Sequence, residues 1–345
     1  MSHPSRPAAP GLARRLAGVL AALGLAATVA ACGGDAKSPA DGSPSPAGAG
    51  SFPVTVDHKY GSTTVKAEPK KVVTLGLSDQ DAVLALGVRP VGSVDWFKEK
   101  PYGKWPWTKA LWGSSLPQVV GERDDYTTEK IAALKPDLII AQYSGMKKEQ
   151  YETLSKIAPV VAQPKGHEDY LAPWPVMTEQ TGKALGRQAK ATELVAGIKA
   201  KFEAVRKKHP EWANLTIAVA DSFEPGKFSA FTKDDPKAAF FADLGFRLSP
   251  NIDKLAQPGW NVAEFSAEKV DLLDVDRLVW VTSGKEHDDR IKAEPLYQKL
   301  KVVQGKKDIF VPYQDPDVGA AFSFNTVLSI PYAIEQMEPL LAGIK

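Results

Sequence analysis

Residues 126–140 read YTTEKIAALKPDLII and residues 265–279 read FSAEKVDLLDVDRLV, and the match between these two stretches decides the fold. In one register each carries an aromatic, hydroxyl residues where a helix would start, a Glu-Lys pair, an apolar position, a Leu and an Asp, then an apolar run. A hydroxyl followed by Glu marks a helix N-terminus, since the oxygen can accept from free backbone N–H groups and the helix dipole favours the carboxylate. The short apolar run that follows has the pattern of a buried strand. A helix-then-strand unit occurring twice predicts two lobes of similar α/β design.

Upstream of the first copy, residues 69–76 (PKKVVTLG) read as a buried strand entered from a proline turn. Ser78 is placed to cap a helix over residues 79–86 that stops at Gly87, and residues 88–93 form a second short strand. Strands alternating with helices predict a parallel sheet covered on both faces. Between the copies, residues 170–209 read as one long helical stretch closed by Pro210, with Leu194, Val195, Ile198, Phe202 and Val205 on a single stripe. Residues 215–220 (LTIAVA) then open the second lobe. The expected fold is α/β, two Rossmann-like lobes joined by one long rigid helix, with a cleft between the lobes. The expected boundaries are 54–168 for the N-terminal lobe, 169–210 for the interlobe helix and 211–345 for the C-terminal lobe. One stiff connection permits only a small closure, unlike paired flexible strands.

The N-terminus carries different information. Arg6, Arg14 and Arg15 precede an uncharged run over residues 16–31, which ends in Val29-Ala30-Ala31-Cys32. The run is short for a spanning helix, so residues 1–31 read as a signal peptide. Arg14-Arg15 reads as positive charge rather than as a twin-arginine signal. The tetrapeptide resembles a bacterial lipobox, in which the chain is cut before the cysteine and a diacylglyceryl group joins its sulfur. Cys32 is the only cysteine, so processing chemistry is its expected role and no internal disulfide can form. From residue 33 to 51 the chain is nearly all Gly, Ala, Ser and Pro, which has nothing to bury; residues 32–53 are expected to be a lipidated flexible tether. Two acyl chains suffice for stable attachment, so the expected location is the extracytoplasmic face of the cell membrane. With 43% hydrophobic and 24% charged residues the remainder has the composition of a soluble globular body. A net charge of +2, with no Lys/Arg block, offers nucleic acid no electrostatic reason to bind.

Residues 71–88 (KVVTLGLSDQDAVLALGV), 121–141 (GERDDYTTEKIAALKPDLIIA) and 265–280 (FSAEKVDLLDVDRLVW) together resemble the periplasmic-binding-protein family of iron–siderophore and vitamin B12 importers. The resemblance runs from about residue 54 to the C-terminus. It implies a class III solute-binding architecture with a rigid interlobe helix, a ligand cleft, and ABC permease and ATPase subunits as partners. It also implies that a surface glutamate on each lobe meets arginines of the permease. Glu129 and Glu268 hold the matching positions, where each would also stabilise its own helix start by about 0.3–1 kcal/mol.

Ligands of open α/β sheets collect beyond the carboxyl ends of the strands. That rule selects Tyr143, after the strand at 138–141, and Phe231, after a short strand of the second lobe. It also draws in Arg123 and Trp260, which precede the two matching helices, and Phe322, ahead of the last helix. Residues 95–112 hold Trp96, Phe97, Tyr102, Trp105, Trp107 and Trp112. Trp96, nearest the strand end, is expected to face the cleft; Trp105, Trp107 and Trp112 are expected to anchor the loop to its own lobe. A ferric siderophore is bulky and presents chelating oxygens around its iron, so it calls for aromatic walls and a donor such as Arg123 or Tyr143. The five histidines are scattered without ligand spacing, and His287 beside Glu286, Asp288 and Asp289 reads as a solvated loop. No cofactor is expected, because iron would stay inside its chelator.

The chain has no GxSxG elbow, HExxH, GK[ST] loop or catalytic cysteine. The expected function is therefore capture, without catalysis, of a ferric siderophore of hydroxamate type by a monomer. Cobalamin or haem is the alternative cargo on the same fold, and an anchored secreted enzyme the distant one.

Overall fold

The computed structural model describes residues 50–96 and 104–344. The expectations for the signal peptide, for Cys32, and for Phe97 and Tyr102 fall outside these residues. An antiparallel hairpin of β1 (Val54–His58) and β2 (Gly61–Val65) comes first, and His58 Nε2 lies 3.0 Å from Thr63 Oγ1 inside it.

Two six-stranded sheets follow, one per lobe. The first contains β3 (Val72–Thr74), β4 (Gly92–Asp95), β5 (Gln118–Glu122), β6 (Asp125–Tyr126), β7 (Leu138–Ala141) and β8 (Val160–Ala162), in spatial order β6-β5-β4-β3-β7-β8. Its strands are parallel except β6, which turns back on β5. Every residue of β3, β7 and β8 is buried, as expected of strands with helices on both faces.

The second sheet contains β9 (Thr216–Asp221), β10 (Lys227–Phe231), β11 (Arg247–Leu248), β12 (Val262–Ser266), β13 (Arg277–Thr282) and β14 (Asp308–Pro312). Its order is β12-β10-β9-β13-β14, with β11 also paired to β9. β9, β13, β14 and β11 are parallel, while β10 and β12 are antiparallel. The sheet is thus mixed rather than wholly parallel. Unlike the central parallel strands, β10 (KFSAF) and β12 (VAEFS) bury one face only.

The connection between the lobes departs from a single long helix. Helix Trp174–Ala184 ends at Leu185, Gly186 turns the chain with φ +66°, and helix Gln188–Lys208 follows. The second helix has 21 residues, about 30 Å of rise. Ala191 near its start packs in the core of the first lobe, while Val195, Ile198, Phe202 and Val205 pack in that of the second. The stripe of the sequence is therefore the seam that joins the lobes.

The two matching stretches also differ. Residues Thr128–Leu134 form an α-helix, whereas Ala267–Leu273 is a 3-10 segment with Lys269 outside helical geometry. Neither Thr127 nor Ser266 makes a side-chain cap hydrogen bond, nor does Ser78 ahead of helix Asp79–Ala85. Glu129 and Glu268 are exposed in the first turns of these segments.

Candidate functional site

The carboxyl ends of β7, β9, β13 and β14 converge on a cavity of about 440 Å³. Leu77 and Tyr143 line it from the first lobe; Asp221, Phe223, Lys237, Val281, Tyr313 and Phe324 are among those facing them from the second. A second cavity of about 270 Å³ lies between the lobes on a wall that also includes Phe324, bounded by Trp174, Met177, Lys233 and Asp234.

Asp79 positions the first-lobe wall. It lies in the first turn of its helix and is buried, yet its carboxylate accepts from the backbone N–H groups of Gly76 and Gln142 at 2.9 Å and of Tyr143 at 3.0 Å. Burial pushes its pKa up to about 6, against the pull of these three donors. The side chain of Gln142 turns away into helix Trp174–Ala184, donating to Met177 O at 3.1 Å. Tyr143 is left against the cavity, its ring edge-on to Tyr170 at 5.2 Å, and burial raises its phenol pKa.

The sequence-derived candidates separate in space. Trp96 and Arg123 come together, the guanidinium 5.2 Å from the indole ring centre. Trp96 meets Tyr170 edge-on at 6.4 Å, so Arg123, Trp96, Tyr170 and Tyr143 form a continuous run of rings on the first lobe. Arg123 is exposed, with φ +54° and its N–H bonded to Asp95 O. Phe231 is half-buried beneath the Lys237 ammonium, 3.9 Å from its ring centre, and is not among the cavity-lining residues. Trp260 is 55% exposed and also stands outside that lining.

Phe322 requires a correction. It is fully buried, stacked on Phe240 at 5.9 Å and edge-on to Phe241 at 5.3 Å, as part of the second lobe's core. Successive residues of helix Val318–Phe324 point about 100° apart, so Phe324, two positions on, reaches the cavity instead.

The loop tryptophans need another correction. Trp112 does pack on its own lobe against Leu84 and Val119, but Leu328 also touches that cluster. Trp105 stacks on Trp107 at 5.0 Å and meets Phe324 at a tilt, their ring centres 4.6 Å apart, and Trp107 lies 5.7 Å from Tyr332. Phe324 and Tyr332 belong to the second lobe, so these rings bridge the lobes rather than anchoring a loop to one. Asp81 completes the bridge. From the first lobe its buried Oδ2 accepts from Trp107 Nε1 at 3.0 Å and from Thr326 Oγ1 at 2.6 Å.

Several cavity residues escaped the sequence reading. Asp221 ends the apolar run of β9, and a charge closing a buried strand was the available signal. His287 is buried in helix Lys285–Lys292, not in a solvated loop. Its Nδ1 accepts from Ser283 N at 3.2 Å, and burial lowers its pKa. Among the described residues no three His, Cys, Asp or Glu side chains gather closely enough to hold a metal ion.

Comparison with known proteins places this geometry. Residues 72–313 match a family model described as periplasmic binding protein. The Fe(3+)-citrate-binding protein YfmC of Bacillus subtilis is 33% identical over 255 residues, covering 72% of this chain and 75% of its own. A periplasmic solute binding protein of Mycobacterium smegmatis superposes with a TM-score of 0.75 at 31% identity, over 85% of this chain and 98% of that one. PiaA of Streptococcus pneumoniae in complex with ferrichrome gives 0.71 at 28% identity, over 84% and 98%. With its two lobes, its bridging helix and its cavity at the strand ends, the chain belongs to the periplasmic binding protein family.

Proposed function

We propose that the protein is an extracytoplasmic lipoprotein that captures a ferric siderophore of hydroxamate type and delivers it, without catalysis, to the permease and ATPase of an ABC importer. The observation that carries the cargo class is the charge on the cavity wall. Asp221 and Lys237 are its charged residues, and the Lys237 ammonium is already committed, 3.3 Å from the buried carboxylate of Asp235 and over the Phe231 ring. On this wall an anionic citrate-type chelate would meet the Asp221 carboxylate and an ammonium already paired with Asp235. A neutral ferric trihydroxamate needs aromatic and aliphatic walls, here Tyr143, Tyr313, Phe223, Phe324, Leu77 and Val281, and a donor for its chelating oxygens. Arg123, its guanidinium 5.2 Å from the Trp96 ring centre, supplies that donor. The ferrichrome held by PiaA is such a trihydroxamate, while YfmC is a citrate binder; the family spans both chemistries, and the paired state of the wall's ammonium supports the first.

Glu129 and Glu268, exposed at corresponding places on the two lobes, are the proposed contacts for permease arginines. Cys32 is the proposed lipidation site, which would hold the protein at the membrane.

The test is intrinsic fluorescence. The Trp105 ring centre lies 4.6 Å from that of Phe324, a residue of the cavity wall, so iron arriving there is expected to quench it. Ferric trihydroxamates are expected to quench with Kd from nanomolar to low micromolar, about −12 to −8 kcal/mol. Ferric citrate, haem and cobalamin should bind at least tenfold more weakly. Tight binding of cobalamin or haem, with no response to any ferric chelate, would overturn the reading.

A further inference from the structure

The cavity wall contains a buried carboxylate that its neighbours do not neutralise. Asp221 is 6% exposed at the end of β9, and its Oδ1 has no hydrogen-bond partner among the described residues. Hydrogen bonding from Ser229 and the field of Lys237 favour its charge, while Asp235 and Glu264 oppose it. Within the buried group two carboxylates, Asp221 and Asp235, face one ammonium, and that ammonium lies against Asp235. One negative charge is left over. Two further polar atoms on the same wall, Ser323 Oγ and His287 Nε2, are likewise buried without a partner, each in a residue 7% exposed.

Buried polar atoms are nearly always hydrogen-bonded, and orphaned atoms bordering a cavity imply that the missing partners arrive with the occupant. A carboxylate oxygen only accepts, so whatever completes Asp221 must donate, and the Ser323 hydroxyl can accept from the same group; His287 Nε2, its Nδ1 already accepting from Ser283 N, is left to donate to the chelate's oxygens. The Asp221 side-chain torsion about its last bond is soft, so a small rotation turns Oδ1 towards the cavity.

Resting on the hydroxamate reading above, we propose that Asp221, assisted by Ser323, recognises a protonated amine pendant from the siderophore. The site thereby favours a cationic ferric hydroxamate over a neutral one of the same chelating frame. Burial pushes the Asp221 pKa up to about 6, so the group is still mainly carboxylate at neutral pH and gains by meeting a cation. The aromatic walls enclose the chelate, and Asp221 distinguishes its tail.

Two probes test this. One is the ferric complex of Desferal, a linear trihydroxamate ending in a free amine; the other is the same complex with that amine acetylated. At pH 7.5 the wild-type protein should bind the free-amine complex about tenfold more tightly, the factor expected of one charge-assisted hydrogen bond. In Asp221→Asn the ratio of the two dissociation constants should fall to about one. Equal binding of both probes by the wild type would overturn this inference and leave the hydroxamate reading standing, and that comparison needs no variant. A tenfold ratio that persists in Asp221→Asn would remove Asp221 from the role. Failure of both probes to bind would instead sink the hydroxamate reading, and this inference with it.

Discussion

Asp79 and Asp81 are two residues apart in the first turn of one helix, both buried, and act on different parts of the molecule. Asp79 joins loops within the first lobe through three backbone N–H groups; Asp81 joins the lobes through Trp107 and Thr326. Burial pushes their pKa values up to about 6 and about 7, from 3.8 for a free side chain. Between pH 4 and 7 the folded protein therefore holds more protons on these groups than the unfolded chain does, and their contribution to stability falls as pH rises through that window. His58 and His287, whose pKa values burial lowers, act oppositely near pH 6.5 and below. Asp81→Asn isolates one term. Its unfolding midpoint relative to wild type should rise by several degrees between pH 5 and pH 8; a difference that does not change with pH would mean that Asp81 titrates alike folded and unfolded. Neither carboxylate was legible as a structural residue in the sequence. An acid at a helix start reads as a partner for the dipole, and the hydroxyl that claims Asp81 comes 245 positions later. The place of Tyr143 on the cavity wall was legible because it follows an apolar strand, a local signal, whereas Phe322 and Phe324 share a helix turn that no local pattern divides between core and cavity.

At the scale of elements, the buried strands β3, β7, β9 and β13 and the stripe Val195–Ile198–Phe202–Val205 announce themselves by period and apolarity. The helix break at residues 185–187 was announced too, by Gly186, though the expectation of an unbroken helix passed over it. The antiparallel turn-back of β10 and β12 and the 3-10 form of Ala267–Leu273 depend on pairing with strands elsewhere. Helix Gln188–Lys208 invites a direct test. Gly197 lies inside it, and a Cβ added there would meet no neighbour within 4 Å. Gly197→Ala should raise stability by about 0.5–1 kcal/mol, read by chemical denaturation, because alanine loses less backbone freedom on entering a helix. Gly186→Ala would do the reverse. Its φ is +66° and the new Cβ would come within 2.6 Å of the Phe52 ring.

For the whole molecule, the helical strut, the tryptophan bridge and the Asp81 contact all oppose wide opening of the lobes. Glu129→Ala combined with Glu268→Ala should lower siderophore uptake by cells at least severalfold while the purified protein keeps its affinity; undiminished uptake would remove both residues from docking. The Asp81 contact has another consequence. A hydrogen bond to a charged group contributes about 1.5–3 kcal/mol. If the polypeptide were severed between the lobes, the N-terminal fragment would keep that carboxylate but lose the Thr326 hydroxyl, and the C-terminal fragment would present the bare ring of Phe324 to water. Each half carries one copy of the matching stretch, yet each also supplies contacts that the other completes.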